Sequence, residues 1–136
     1  MTNLRKLEKS KGIVVFAFNS STVDYVALAD QTSRLIDHHL KLPVTLITDA
    51  DASPKFLYDK IIRIENQGVN FRIDNGVQKE WRNVGRYRAY ELSPYNETIL
   101  LDGDYLVLDD SLLKLFDQDF DYRLMHNSHN TNGPLY

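Results

Sequence analysis

Four short runs, Ile13–Phe18, Val44–Thr48, Ile61–Ile64 and Thr98–Leu101, gather β-branched and aliphatic residues with little polar alternation. Such runs read as strands covered on both faces, as in a parallel sheet. Polar punctuation follows each one: Asn19-Ser-Ser-Thr22, Asp49-Ala-Asp51, the stretch from Glu65, and Asp102-Gly-Asp104. After the first run, Ser21 and Asp24 form an S-x-x-D helix start signal. That helix carries Tyr25, Leu28, Ala29, Leu35, Ile36 and Leu40 along one side, with Asp30, Arg34, Asp37 and Lys41 largely opposite, and ends at Pro43. Ser53-Pro54 starts a short helical segment through Tyr58. Glu65–Gly76 reads as a long polar loop. Gln78–Ser93 reads as a helix with Trp81, Gly85, Ala89 and Leu92 inward, leaving Glu80, Arg82, Arg86 and Glu91 for its outer or upper face. Leu106–Leu108 leads to Asp109-Asp110, which can cap a short helix Ser111–Phe116. Tyr122–Met125 is a last strand-like piece.

Strands alternating with helices at this spacing predict an α/β fold: a mostly parallel sheet with helices on both faces and its loops gathered at the carboxyl edge, where ligands bind. Residues 1–11 form a flexible lead-in, 12–125 one domain, and 126–136 a polar tail.

The run Ile99-Leu-Leu101 delivers Asp102-Gly103-Asp104 to that edge. In an extended segment, carboxylates at i and i+2 share a face, and Gly103 leaves room beside them. Oxygen donors of this kind suit a hard cation, Mg²⁺ or Mn²⁺, and through it a pyrophosphate. D-G-D is also a common hairpin turn, but a hairpin strand alternates, whereas Ile99–Leu101 is continuously apolar.

Composition narrows the functions this edge can serve. The 136 residues are 43% hydrophobic and 26% charged, which suits one globular domain with a core. Without a cysteine there is no disulfide, zinc–thiolate site or thiol nucleophile. With 19 acidic residues against 16 basic and a net charge of -3, no basic face is expected for nucleic acid. No apolar run approaches the ~20 residues of a membrane span. Met1–Lys11 lacks the apolar core of a secretory signal, so the expectation is a cytoplasmic protein.

The order of these features resembles the nucleotide-sugar-dependent glycosyltransferases of the Rossmann-like GT-A fold, and among them the branch of glycogenin and the bacterial lipopolysaccharide galactosyltransferases. The stretch Arg86-Tyr-Arg-Ala-Tyr-Glu-Leu-Ser-Pro-Tyr-Asn-Glu-Thr-Ile-Leu-Leu-Asp-Gly-Asp-Tyr-Leu-Val107 is similar to that branch's helix, turn and D-x-D strand without a gap. Leu112-Leu-Lys-Leu-Phe-Asp117 continues the likeness, and the strand ending in Phe18-Asn19 resembles the family's base-binding start. Most of residues 12 to 120 are covered. The resemblance implies that Asp104 holds Mn²⁺ or Mg²⁺ and that Asp102 touches cation and ribose, with Gly103 between them in the donor site. Arg86 would meet the donor's phosphate or sugar. Ala17, Phe18 and Asn19 would contact base and ribose, and Asp49 would recognise the base. Uracil suits Asp49 as acceptor of its imide proton, which favours a UDP-sugar.

Two departures accompany the resemblance. The branch supplies a third metal ligand, usually histidine, far towards its C-terminus, and its acceptor-binding half follows the donor half. Here His126 or His129 could stand in as that ligand, although a solvated polar tail accounts for them too. The expectation is a truncated, donor-binding half with an unknown acceptor. A second copy or a partner would complete it through Tyr122, Leu124, Met125, Leu135 and Tyr136. Haloacid-dehalogenase phosphatases also end a strand in D-x-D, but on their first strand, and they need acidic residues and a lysine for which too little chain follows. A sugar nucleotidyltransferase needs a glycine-rich basic loop after the first strand, and Asn19–Thr22 has neither glycine nor lysine. A module that holds or slowly hydrolyses a nucleotide sugar without transferring it remains open beside the transferase.

Overall fold

The computed structural model describes residues 10–49, 51–64, 70–81 and 84–119. Within them the chain forms β1 (Lys11–Phe16), α1 (Tyr25–His39), β2 (Val44–Asp49), β3 (Lys60–Ile64), β4 (Asn70–Asp74) and β5 (Val77–Trp81). A 3-10 segment, Val84–Arg88, runs into α2 (Ala89–Leu92), followed by β6 (Glu97–Asp102) and a 3-10 segment, Ser111–Asp117. Strands β1, β2, β3 and β6 pair in parallel in the order β3-β2-β1-β6. The protein is thus α/β with a parallel sheet, built from the four apolar runs.

The central strand β1 shows why its run has no polar alternation. Ile13, Val15 and Ala17 pack towards Val26, Ala29, Ile36 and Leu40 on one face. Val14, Phe16 and Phe18 pack with Ile47, Ile64 and Ala89 on the other. Each of the buried Val, Leu, Ile and Phe side chains among these contributes about 1.5–3 kcal/mol. Helical segments therefore cover both faces, α1 on one and α2 on the other. Among the described residues no helix is long and apolar enough to cross a membrane.

Several local expectations are corrected. The first helix begins at Tyr25, not near Ser21, because Asp24 is its N-cap and accepts the Ala27 amide at 3.0 Å. Ser21 instead donates its hydroxyl to Glu80 Oε2 at 3.0 Å. Asp30, expected on the solvent side, is only 4% exposed. Its Oδ2 accepts the Lys55 amide at 2.8 Å, and its Oδ1 accepts the Phe56 amide at 3.1 Å and the Tyr58 hydroxyl at 3.0 Å. Ser53–Tyr58 is consequently not helical, since amides that would serve a helix are turned onto this carboxylate.

The long loop and long helix expected across residues 65–93 are both revised. Strands β4 and β5 form an antiparallel hairpin, and among the described residues of this stretch helical structure runs only over Val84–Leu92. The cause is Asn75-Gly76, whose φ values of 51° and 75° suit a primed hairpin turn matched to strand twist. Leu106–Leu108 forms no element, and Ser111–Asp117 is a 3-10 segment in which Asp109, not Asp110, receives the Ser111 amide. Met1–Lys9 of the lead-in, Arg82, the strand-like Tyr122–Met125, His126, His129, Leu135 and Tyr136 lie outside the described residues, and the Trp81 side chain is not among those described.

Candidate functional site

From β1 the chain winds outward through α1 to β2 and β3, then crosses back to lay β6 on the other side of β1. The order reverses between β1 and β6, and the crevice outside the carboxyl ends at such a point is where open α/β sheets bind ligands. Phe16 and Asp102 are register partners there. The loops that open at Ala17 and at Gly103 therefore start side by side.

Asp102 is the last residue of β6, and its carbonyl accepts the Tyr105 amide at 3.1 Å, closing a turn around Gly103 and Asp104. The strand ends before Asp104, so the two carboxylates do not project from one extended face as the i, i+2 spacing predicted. The space beside Gly103 is also not open. A methyl group there would lie 3.0 Å from Ala17 Cβ, 3.4 Å from the Tyr25 carbonyl and 3.5 Å from Ala29 Cβ. Glycine lets the turn rest against β1 and α1. Thr32, in the middle of α1, shares its hydroxyl proton between the carbonyls of Gly103, at 2.8 Å, and Tyr105, at 2.9 Å.

Arg86 reaches this edge from the 3-10 segment, its Nη1 2.8 Å from Asp102 Oδ1, with both side chains part exposed. Asp104 is exposed. Strand alternation puts Asp102 on the face of Leu100, and Asp49 on that of Ile47, the face that Phe18 also joins. The fold thus brings Phe18, Asp49, Arg86 and Asp102 to one side of the sheet edge. Ala17 and Phe18 are buried, backbone included: the Ala17 amide donates to the Ile47 carbonyl at 3.0 Å, and the Phe18 ring lies 4.6 Å from that of Phe16. Asp49 uses its carbonyl to accept from Arg63 Nη1 at 3.2 Å.

Asn19 belongs to the other side. Its Oδ1 accepts the Val26 amide at 3.0 Å, tying the loop to the first turn of α1. There it borders an open pocket of about 500 Å³ whose charged lining includes Asp24, Asp30, Arg34, Asp51 and Lys55.

Asp102 and Asp104 offer only oxygen donors, which fits a hard cation that keeps water or phosphate oxygens in its remaining positions. Among the described residues no group of three or more His, Cys, Asp or Glu is placed to hold a metal. Two residues that shape this edge escaped sequence reading. Thr32 lies 71 residues from the turn it secures, and a helical threonine carries no mark of such a partner. Asp30 looked like a solvent-facing helix residue, although the amides it gathers come from a segment that begins with Ser-Pro.

Compared with protein-family models, curated proteins and solved structures, the chain matches none.

Proposed function

We propose that this protein is a GT-A-like glycosyltransferase that binds a nucleoside-diphosphate sugar, with UDP-sugar favoured, at the β1/β6 crevice. What supports the reading is one coincidence: the D-G-D turn lies at the point where the strand order reverses, and an arginine meets it there. Departure of a nucleoside diphosphate needs its growing negative charge stabilised. A bound Mn²⁺ or Mg²⁺ would supply Lewis-acid stabilisation of that charge. Asp102 and Asp104 would hold the ion, and the Arg86 guanidinium, planar and permanently charged, would clamp the diphosphate oxygens. Asp49 is the candidate for reading the base.

Calorimetry of UDP, UDP-sugars and other nucleoside diphosphates, with and without Mn²⁺, tests the reading. Mn²⁺-dependent binding of UDP is expected, lost in Asp104→Ala while the fold persists. Equal UDP affinity in wild type and Asp104→Ala at saturating Mn²⁺ would remove the metal assignment. An Asp49→Ala affinity for UDP within about threefold of wild type, roughly 0.7 kcal/mol, would remove the base contact. Sugar transfer to simple acceptors, against hydrolysis alone, separates a transferase from a module that only holds its donor.

A further inference from the structure

The open pocket lies on the flank of α1 turned away from the Asp102-Gly-Asp104 turn. Ala29 and Thr32 face that turn. Asp24, Asp30 and Arg34 instead line the pocket of about 500 Å³, across from Asp51, Ser53 and Lys55. In a parallel crossover the helix runs against its strands, so Asp24, the N-cap of α1, stands at the carboxyl edge together with Asp51, which follows β2. Arg34 lies further down α1, about 15 Å from Asp24 at the helical rise per residue. The Lys55 amide bonds Asp30 Oδ2 at 2.8 Å, which sets Lys55 away from the edge, one turn from Arg34. The pocket is therefore acidic at the sheet edge and basic at its other end. Asp30 holds the Lys55 and Phe56 amides and the Tyr58 hydroxyl, and so fixes the two walls against each other. Among the described residues Arg34, Asp51 and Lys55 enter no salt bridge.

We infer that this pocket binds a zwitterion whose charges stand well apart, a short peptide with free ends, its ammonium beside Asp24 and Asp51 and its carboxylate beside Arg34 and Lys55. A ligand of one sign would be repelled at one end. A single amino acid, with its two charges on neighbouring groups, could satisfy only one end. An extended tripeptide spans about 10 Å, and the long side chains of Arg34 and Lys55 reach across the remainder. The guanidinium fork suits a terminal carboxylate. Gln31 and Ser53, also in the lining, supply donors and acceptors for the peptide groups between the ends. Asp24, Arg34, Asp51 and Lys55 are exposed, so each contact is weak and both ends together set the affinity. The inference is independent of the donor reading, since none of Asp49, Arg86, Asp102 and Asp104 lines this pocket.

The test titrates the full chain with trialanine and follows amide chemical shifts, against alanine, N-acetyl-trialanine, trialanine amide and the doubly blocked peptide. Trialanine should bind with millimolar affinity, more tightly than alanine, and move amides of α1 and of residues 51–58. Blocking either end should weaken it by up to about fivefold. The double variant Arg34→Gln, Lys55→Gln should bind trialanine and its amide alike, and Asp51→Asn should lose part of the preference for a free amino end. Arg88 bonds Glu91 Oε1 at 3.3 Å, away from this pocket, so Arg88→Gln removes a positive charge yet should follow the wild type. Unchanged amide dispersion elsewhere shows that each variant folds. Three results would each overturn the inference. They are no shift in α1 or 51–58 at about 10 mM trialanine, equal binding of the doubly blocked peptide, and a preference for the free carboxylate that survives in the double variant.

Discussion

Tyr95 lies across Gly12 so closely that a methyl group there would overlap its ring. Its hydroxyl meets Thr45 Oγ1 at 2.8 Å and Asp59 Oδ2 at 3.3 Å. Burial first, and then the neighbouring Asp59 carboxylate, push this phenol from 10.0 up to about 12. Tyr58, buried against Asp30, is also raised, again chiefly by burial. Both groups keep their protons in the folded protein after the unfolded chain has begun to lose them. Their stabilisation is therefore complete below pH 10; that of Tyr95 is lost as pH rises towards about 12, and that of Tyr58 only at higher pH. Urea midpoints measured from about pH 8 to about pH 11 should fall, and more shallowly in Tyr95→Phe; equal slopes would detach Tyr95 from the effect. Gly103→Ala is a second test at this scale. Forcing a methyl against Ala17 should cost about 1–3 kcal/mol in urea unfolding, and an unchanged midpoint would mean that the turn relaxes freely. The Asp102-Gly-Asp104 triplet was legible as a candidate site because it follows an apolar run. The reason for its glycine was not, because that reason lies in Ala17 and Ala29, far away in the chain.

At the scale of elements, legibility followed the range of the forces involved. Strands β1 and β2 were readable because covering both faces leaves a continuous apolar run, whereas β3 and β6, at the two ends of the order β3-β2-β1-β6, are only partly covered, with Ile61 38% exposed, and were readable from their β-branched and aliphatic residues alone. The inner face of α1 was only half readable. Its apolar stripe is local, but inward Asp30 depends on amides from Lys55 and Phe56. The β4–β5 hairpin did carry a local signal, Asn75-Gly76 between Ile73 and Val77, which the polar run before it obscured. Gly76 has φ of 75° and nothing within 4 Å of where a methyl would sit, so Gly76→Ala should strain the backbone without a clash. The expected cost is about 1–2 kcal/mol. It should appear as faster amide exchange in residues 70–81 while β1 and β2 keep their protection; uniform loss across the sheet would show that the hairpin is not a separate unit.

For the whole molecule, a parallel sheet was legible from four apolar runs, whereas the placement of β6 beside β1 is seen only in the structure. That placement also bears on the order of assembly. β1, α1 and β2 form one compact crossover from neighbouring sequence. The β1–β6 pairing, clamped at its far end by Ser10 and Asn96, closes a separation of 86 residues. Contacts so distant in sequence form against a larger loop entropy, so they are expected late on the folding pathway. Substitutions in β1 and β2 that weaken their packing should slow refolding, whereas Asn96→Ala should mainly speed unfolding; the reverse partition in a denaturant chevron would place β6 in the nucleus. The Asp102 turn acquires its neighbours only when β6 docks. A chain stalled one step short of native would keep much of its helix and sheet yet have no crevice for an anion and its counterion to share.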